Sequence, residues 1–255
     1  ALVARHLRTE IPSLSELGMP PLLEKLAMEE RGLVLITGAA GSGKSTTMAS
    51  MIDYRNQRRS GHILMIEDPV EFIHSHKKAI VDQREIGLDT HSFGNALRNA
   101  MREAPDVIAI GEIRDLESLK YALNYAETGH LCLATLHASN AHQTLERILN
   151  FYDQQHHSQV LLDLSLHLKA VVSQRLLRGV DGKRVPAVEI MNNTPFIQEL
   201  IQSGRIDEIG TAITQHNQEG ACSFDQSIYR LWKQGKISKE EALANSDSRA
   251  NLSVQ

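Results

Sequence analysis

The segment GLVLITGAAGSGKSTTMASMI, residues 32–52, sets a glycine-rich loop between a short apolar run and a helix-like pattern. Gly38-Ala39-Ala40-Gly41-Ser42-Gly43-Lys44-Ser45 fits G-x-x-x-x-G-K-[ST] in full, with a strand expected before it and a helix after it. The glycines let successive backbone N–H groups turn inward around phosphate oxygens, and the positive end of the following helix adds to that field. Lys44 is expected to reach the β- and γ-phosphates, Ser45 to bind Mg²⁺ through its hydroxyl, and Thr46 to lie by the α-phosphate. Ala39 and Ala40 have no role beyond fitting the turn. The loop therefore predicts a nucleotide triphosphate with Mg²⁺, and it leaves the substrate of the reaction almost open.

A strand that feeds such a loop belongs to a parallel sheet, and the rest of the chain agrees. LVLIT (33–37), HILMIED (62–68), DVIAIGE (106–112) and LCLATLH (131–137) read as short buried strands. Helical patterns separate them: one from near Lys44 carrying Met48, Met51 and Ile52, one around 92–103 carrying Leu97 and Met101, and one carrying Ala141, Leu145, Ile148 and Leu149. This alternation predicts an α/β fold, a mostly parallel sheet with helices on both sides. Residues 158–177 read as one long buried helix, and a turn at Asp181-Gly182 with a short strand pairing follows. TPFIQELIQSG, SFDQSIYRLWKQG and SKEEALANS each open on a Ser or Thr suited to cap a helix, which predicts a small helical C-terminal part. The expected divisions are a linker over 1–30, a nucleotide-binding core over 31–190 and a helical subdomain over 191–255.

The 255 residues suffice for one large domain or a domain with an appendage. Twenty-seven Lys and Arg against 31 Asp and Glu leave a net charge of −4, which speaks against a sequence-independent nucleic-acid binder. No apolar run reaches membrane-spanning length. Cys132 and Cys222 are far apart and form no redox pair, so a reducing, cytoplasmic setting is expected. The 12 histidines show no zinc spacing. The chain opens on Ala1 without an initiator Met, and reads as part of a longer protein.

In a sheet of this type ligands bind beyond the carboxyl ends of the strands. Strand 62–66 ends in Glu67-Asp68-Pro69-Val70-Glu71, strand 107–110 in Gly111-Glu112, and strand 131–136 in His137. Hydrolysis needs one group to polarise the attacking water and another to organise the metal. Glu67 is the candidate base. Glu112 is the candidate for the magnesium shell, acting through water because a Glu stands where an Asp is usual. His137 is the candidate sensor of the γ-phosphate. Helix capping and ion pairing are the alternatives for these residues, and the better ones for Asp68 and Glu71.

GAAGSGKST, IEDPVEF, QREIGLDT, APDVIAIGEIRD, AETGHLCLATLH and SQRLL occur in this order. Together they resemble the secretion ATPase superfamily of type II and type IV secretion and pili, and more finely the pilus retraction (twitching motility) ATPases of the PilT/PilU family. RNAMREAPDVIAIGEIRD, TLHASNAHQTLERILNFY and DLSLHLKAVVSQRLL are similar to its PilU branch. The resemblance implies a RecA-like core, with Walker A over Gly38–Ser45, an Asp box over 66–72 with Glu67 as the catalytic carboxylate, a Walker B region over 106–115 with Glu112 near the metal, and a His box over 129–137 with His130 and His137. It implies a homohexameric ring, and a PAS-like N-terminal domain whose arginines approach the nucleotide. LVARHLRTEIPS matches only the end of that domain, with Arg5 at one arginine position. The four-cysteine zinc insertion of the extension ATPases is missing, which favours retraction. PFIQELIQSGR aligns loosely with a C-terminal retraction motif, and Ile197, Leu200 and Ile201 serve equally as packing residues.

The expected function is an ATP-hydrolysing motor that converts turnover into domain motion for pilus retraction. Expected partners are further copies of itself, a related retraction ATPase and an inner-membrane pilus platform protein, with peripheral inner-membrane association through them. The alternative is an accessory ring subunit that binds nucleotide mainly to assemble. Arg98, Arg102 and Arg114 serve subunit contacts or nucleotide sensing, or else solvated ion pairs.

Overall fold

A computed structural model of the chain describes residues 10–215 and 220–248. Arg5, singled out above, lies outside them. The phosphate loop stands where the sequence pattern places it, between strand β1 (Gly32–Thr37) and helix α2 (Lys44–Arg58). Before them, Leu22, Leu23 and Leu26 bury one side of the short helix α1 (Leu22–Ala27) against α2.

A seven-stranded sheet runs β3-β2-β4-β5-β1-β6-β7, with β2 (Gly61–Glu67), β3 (Ala79–Glu85), β4 (Val107–Ile110), β5 (Leu131–Leu136), β6 (Leu168–Arg178) and β7 (Arg184–Asn192). All neighbours pair parallel except β6 and β7. This is the α/β, mostly parallel-sheet fold that the alternation predicts, and it agrees with the RecA-like core that the resemblance implies. Successive side chains of a strand face opposite sides, so β1 feeds two cores. Val34 and Ile36 pack with Met48, Met51 and Ile52 of α2. Leu33 and Leu35 pack on the other side with α3 (Phe93–Ala100), α4 (Leu116–Glu127), α5 (Ala141–Leu149) and α6 (His157–His167).

The long helix expected over 158–177 is not formed. Helix α6 ends at His167, Leu168 turns extended, and residues 168–178 become β6. The outer edge of β1 explains the difference. A buried strand with unpaired N–H and C=O groups is costly, and β6 satisfies that edge in parallel register from Leu33↔Leu168 to Thr37↔Ser173. Val171 and Val172, β-branched, suit the extended form. The chain then turns through residues 179–183, with Gly182 at φ +78°, and returns as β7 over the whole pairing from Arg178↔Arg184 to Ala170↔Asn192. Strand β3 was absent from the sequence expectation. It is an edge strand whose residues alternate buried and exposed and turn polar at its end, so it lacks an apolar run.

Helices α7 (Pro195–Gln202), α8 (Ile209–Gln215), α9 (Phe224–Lys233) and α10 (Lys239–Asn245) complete the chain. Thr194, Ser223 and Ser238 cap α7, α9 and α10 as their sequences suggest. Ile197, Leu200 and Ile201 are buried in the core shared with the sheet, while Phe224, Ile228 and Leu231 close a smaller cluster over Leu177 and Ala187. Among the described residues, no helix is long and apolar enough to cross a membrane.

Leu133 of β5 tests this two-sided core, because it is 1% exposed in the middle of the sheet. Leu133→Ala should lower unfolding free energy by about 2–5 kcal/mol in urea titrations. A loss below about 1 kcal/mol would contradict the packing described.

Candidate functional site

The parallel register brings four strand ends to one edge. Thr37 pairs with Leu136, Ile110 with Ala134, and Ile66 with Ile110. The phosphate loop, Glu67, Glu112 and His137 therefore follow β1, β2, β4 and β5 around one cleft of about 370 Å³, which Met48 and Phe93 also line.

The loop has the shape of a cradle. Gly43, the cap of α2, has φ +91°, and a side chain on it would meet the Gln174 amide at 2.7 Å. A Cβ on Gly38 would collide with the Ser42 hydroxyl and meet the Gln174 carbonyl at 2.5 Å. The loop thus turns inward against β6, with backbone that only glycine supplies. Lys44 Nζ donates to the carbonyls of Gly38 and Ala39, both at 2.9 Å. Burial lowers the Lys44 pKa, and the nearby Glu112 and Glu71 oppose that shift. Ser42 Oγ is buried with no hydrogen-bond partner, an orphan that a phosphate oxygen would satisfy. Ala39, Ala40 and Gly41 form the exposed crest, and Ser45 and Thr46 are half-buried on the first turn of α2. These features fit a polyphosphate.

Glu67 ends β2 and is 6% exposed. Burial pushes its carboxyl up to about 7, against a side-chain hydrogen bond from Gln83 that lowers it, with the Glu71 charge raising it further. A carboxylate of this kind ionises near neutral pH and binds a proton well, as a general base requires.

Glu112 is held at both oxygens. His137 Nε2 lies 2.9 Å from Oε1, and Arg114 Nε donates to Oε2 at 2.7 Å. Arg114 also reaches Asp68 at 2.7 Å, so one chain of polar contacts joins the ends of β2, β4 and β5. Thr135 donates to the Gly111 carbonyl beneath it. Ser45 and Glu112 share the cleft with the loop. Among the described residues, no group of three or more His, Cys, Asp or Glu could hold a metal alone. Mg²⁺ takes one or two protein ligands and completes its shell with phosphate and water, and the hydroxyl and carboxylate oxygens of Ser45 and Glu112 are donors of the type it takes.

His130 does not join His137. It precedes β5 at the opposite end of the strand, with Nδ1 3.1 Å from Thr128 Oγ1 and its ring edge-on to Tyr125. Glu71 lines the cleft, and Asp68 enters it through Arg114. Arg98 lies outside the site against Tyr121 and Glu117, and Arg102 is exposed beyond α3. Two glutamines escaped the sequence reading. Gln174 of β6 accepts from Thr47 Oγ1 at 2.8 Å beneath the loop, and Gln83 of β3 contacts Glu67. Gln83 opens QREIGLDT and Gln174 lies in SQRLL, but the resemblance gives neither residue a role. Their strands had to be recognised first.

A parallel sheet with a glycine cradle at its carboxyl edge, a lysine inside it and a buried carboxylate opposite defines a RecA-like P-loop nucleotide-binding protein. The family model described as "Type II/IV secretion system protein" matches residues 2–242, and the chain belongs to that family. It is 51% identical to the type IV pilus ATPase PilU of Pseudomonas aeruginosa over 98% of its length, covering 66% of that protein. It is 43% identical to the PilT retraction ATPase of the same organism, over 94% of its length and 70% of PilT. The crystal structure of the pilus retraction motor PilT with bound ADP superposes with a TM-score of 0.91 at 44% identity, covering 98% of this chain and 71% of that one. The chain thus spans about two thirds of the length of these relatives, and is PilU-like within the family.

The raised Glu67 carboxyl has a consequence for stability. Between about 4.5 and about 7, the folded protein keeps a proton that the unfolded chain has released. Glu67 therefore costs stability progressively as pH rises through that window. Glu67→Gln should gain on the wild type by about 3 kcal/mol between pH 4.5 and pH 8, read by urea unfolding. Parallel pH profiles for the two proteins would contradict the burial argument.

Proposed function

We propose that this chain is the motor part of a type IV pilus retraction ATPase, hydrolysing ATP to ADP and phosphate. The single observation that carries the reading is the buried Glu67 carboxylate in one cleft with the glycine cradle. ATP would enter with its phosphates against the loop N–H groups. Lys44 would exchange the carbonyls of Gly38 and Ala39 for phosphate oxygens, and Ser42 Oγ would gain its missing partner. Glu67 would take a proton from the attacking water and orient it toward the terminal phosphorus. Ser45, directly, and Glu112, through water, would hold Mg²⁺, which offsets phosphate charge when bound. His137 would report the terminal phosphate to Glu112 and, through Arg114, to Asp68.

Arg175, next to Gln174 on β6, pairs with Asp247 at 2.8 Å and stacks over Phe224. Changes at the loop would pass along β6 to the C-terminal helices, which supports a motor core over 31–190 with an appended helical part over 191–255. The likeness to PilU and PilT supports a ring of six such chains, work with a related retraction ATPase, and coupling to an inner-membrane platform protein.

Phosphate release by the full-length protein, with ring mass read in the same preparation with and without ATP, tests this reading. The wild type should turn over, and Glu67→Gln should bind ATP within about 3-fold of it while losing about 100-fold or more in kcat. Tight ATP binding without turnover by the wild type would instead make it a ring subunit that uses nucleotide to assemble.

A further inference from the structure

The first residue of QREIGLDT reaches the site, although the resemblance attaches no role to it. Gln83 stands on the edge strand β3, directly across from Met65 of β2, while Glu67 lies two residues on, across from Glu85. The Gln83 amide nitrogen donates to Glu67 Oε1 at 2.9 Å and to the Phe72 carbonyl at 2.8 Å. Its amide oxygen accepts the His74 N–H at 2.8 Å. One side chain therefore clamps a carboxylate and both ends of the Phe72–His74 segment, which lies in the connection between β2 and β3.

The chemistry of the clamp is specific to an amide. Glutamine donates and accepts at once, so it can serve a carboxylate, a carbonyl and an N–H together. Leucine could serve none of them, and glutamate could accept from His74 but not donate to Glu67. Glu67 is buried, with the acidic Glu71 and Glu85 bearing on it. Unclamped, it would keep the backbone N–H of Glu71 but lose the Gln83 donor that favours the charged form, and its looser orientation would spread the position of the water it orients. A small misplacement of a catalytic group costs orders of magnitude in rate.

We propose that Gln83 is a positioning residue for hydrolysis, fixing the orientation of Glu67 and tying it to the Phe72–His74 segment. This rests on the reading of Glu67 as the base. Gln83→Leu and the shape-conserving Gln83→Glu, made in the full-length protein, test it by kcat, ATP affinity, pH–rate profile and thermal unfolding. In both, kcat should fall by about 10- to 100-fold with ATP affinity held within about 3-fold. The acid limb of kcat should move to higher pH, further in Gln83→Glu, where a negative charge replaces the donor. In a Glu67→Gln background, Gln83→Leu should cost no further activity. Should either variant be too unstable to assay, the other carries the same comparisons.

Equal fold losses in the two backgrounds would overturn the proposal. So would a folded Gln83 variant with wild-type kcat and an unmoved acid limb beside an inactive Glu67→Gln. A wild-type rate in Glu67→Gln itself would overturn the base assignment, and the clamp's role with it.

Discussion

Lys44 folded back onto the carbonyls of Gly38 and Ala39 is the interaction on which the site depends. It fills the centre of the cradle with a positive charge and holds the loop in a curve that phosphate can enter. The curve in turn requires glycine at 38 and 43, because β6 lies directly beneath both. Strand β6 is there because β1 has an open edge to satisfy. Local chemistry at the loop and pairing in the sheet are thus one constraint, and the C-terminal helices, linked through Arg175, inherit it.

The opposite wall of the cleft works by a different balance. Burial alone would keep Glu67 protonated, while hydrogen bonds to its charged form pull the other way. The result is a carboxyl that changes charge near pH 7, where base catalysis benefits most. Glu112 differs: it is half-buried, yet an imidazole and a guanidinium occupy both its oxygens. Two carboxylates on neighbouring strands therefore have separate chemistry, one desolvated and the other paired, in keeping with the separate roles proposed for them.

Much of this was legible in the sequence. Glycine spacing, Lys44 and short apolar strands are local signals, and they place the loop, Glu67, Glu112 and His137 at one sheet edge. The misreadings share a physical cause. Residues 168–177 have an apolar pattern long enough for a helix, and only the unpaired edge of β1, more than 130 residues earlier, makes them a strand. The segment AIVDQRE is too polar to read as a strand, because its edge position exposes half of it. With those two strands hidden, Gln174 and Gln83 had no place in the site. His130 precedes the six residues of β5 and so stands at the far end of that strand from His137, a separation that follows from the strand itself. Non-local pairing, rather than residue chemistry, set the limit.

The structure of this protein with Mg²⁺ and a non-hydrolysable ATP analogue tests the central claim most directly. The account predicts Lys44 Nζ moved from the Gly38 and Ala39 carbonyls onto phosphate oxygens, Ser42 Oγ within hydrogen-bonding distance of phosphate, and the terminal phosphate facing Glu67. A nucleotide bound with Lys44 still on those carbonyls, or with its terminal phosphate turned away from Glu67, would contradict it.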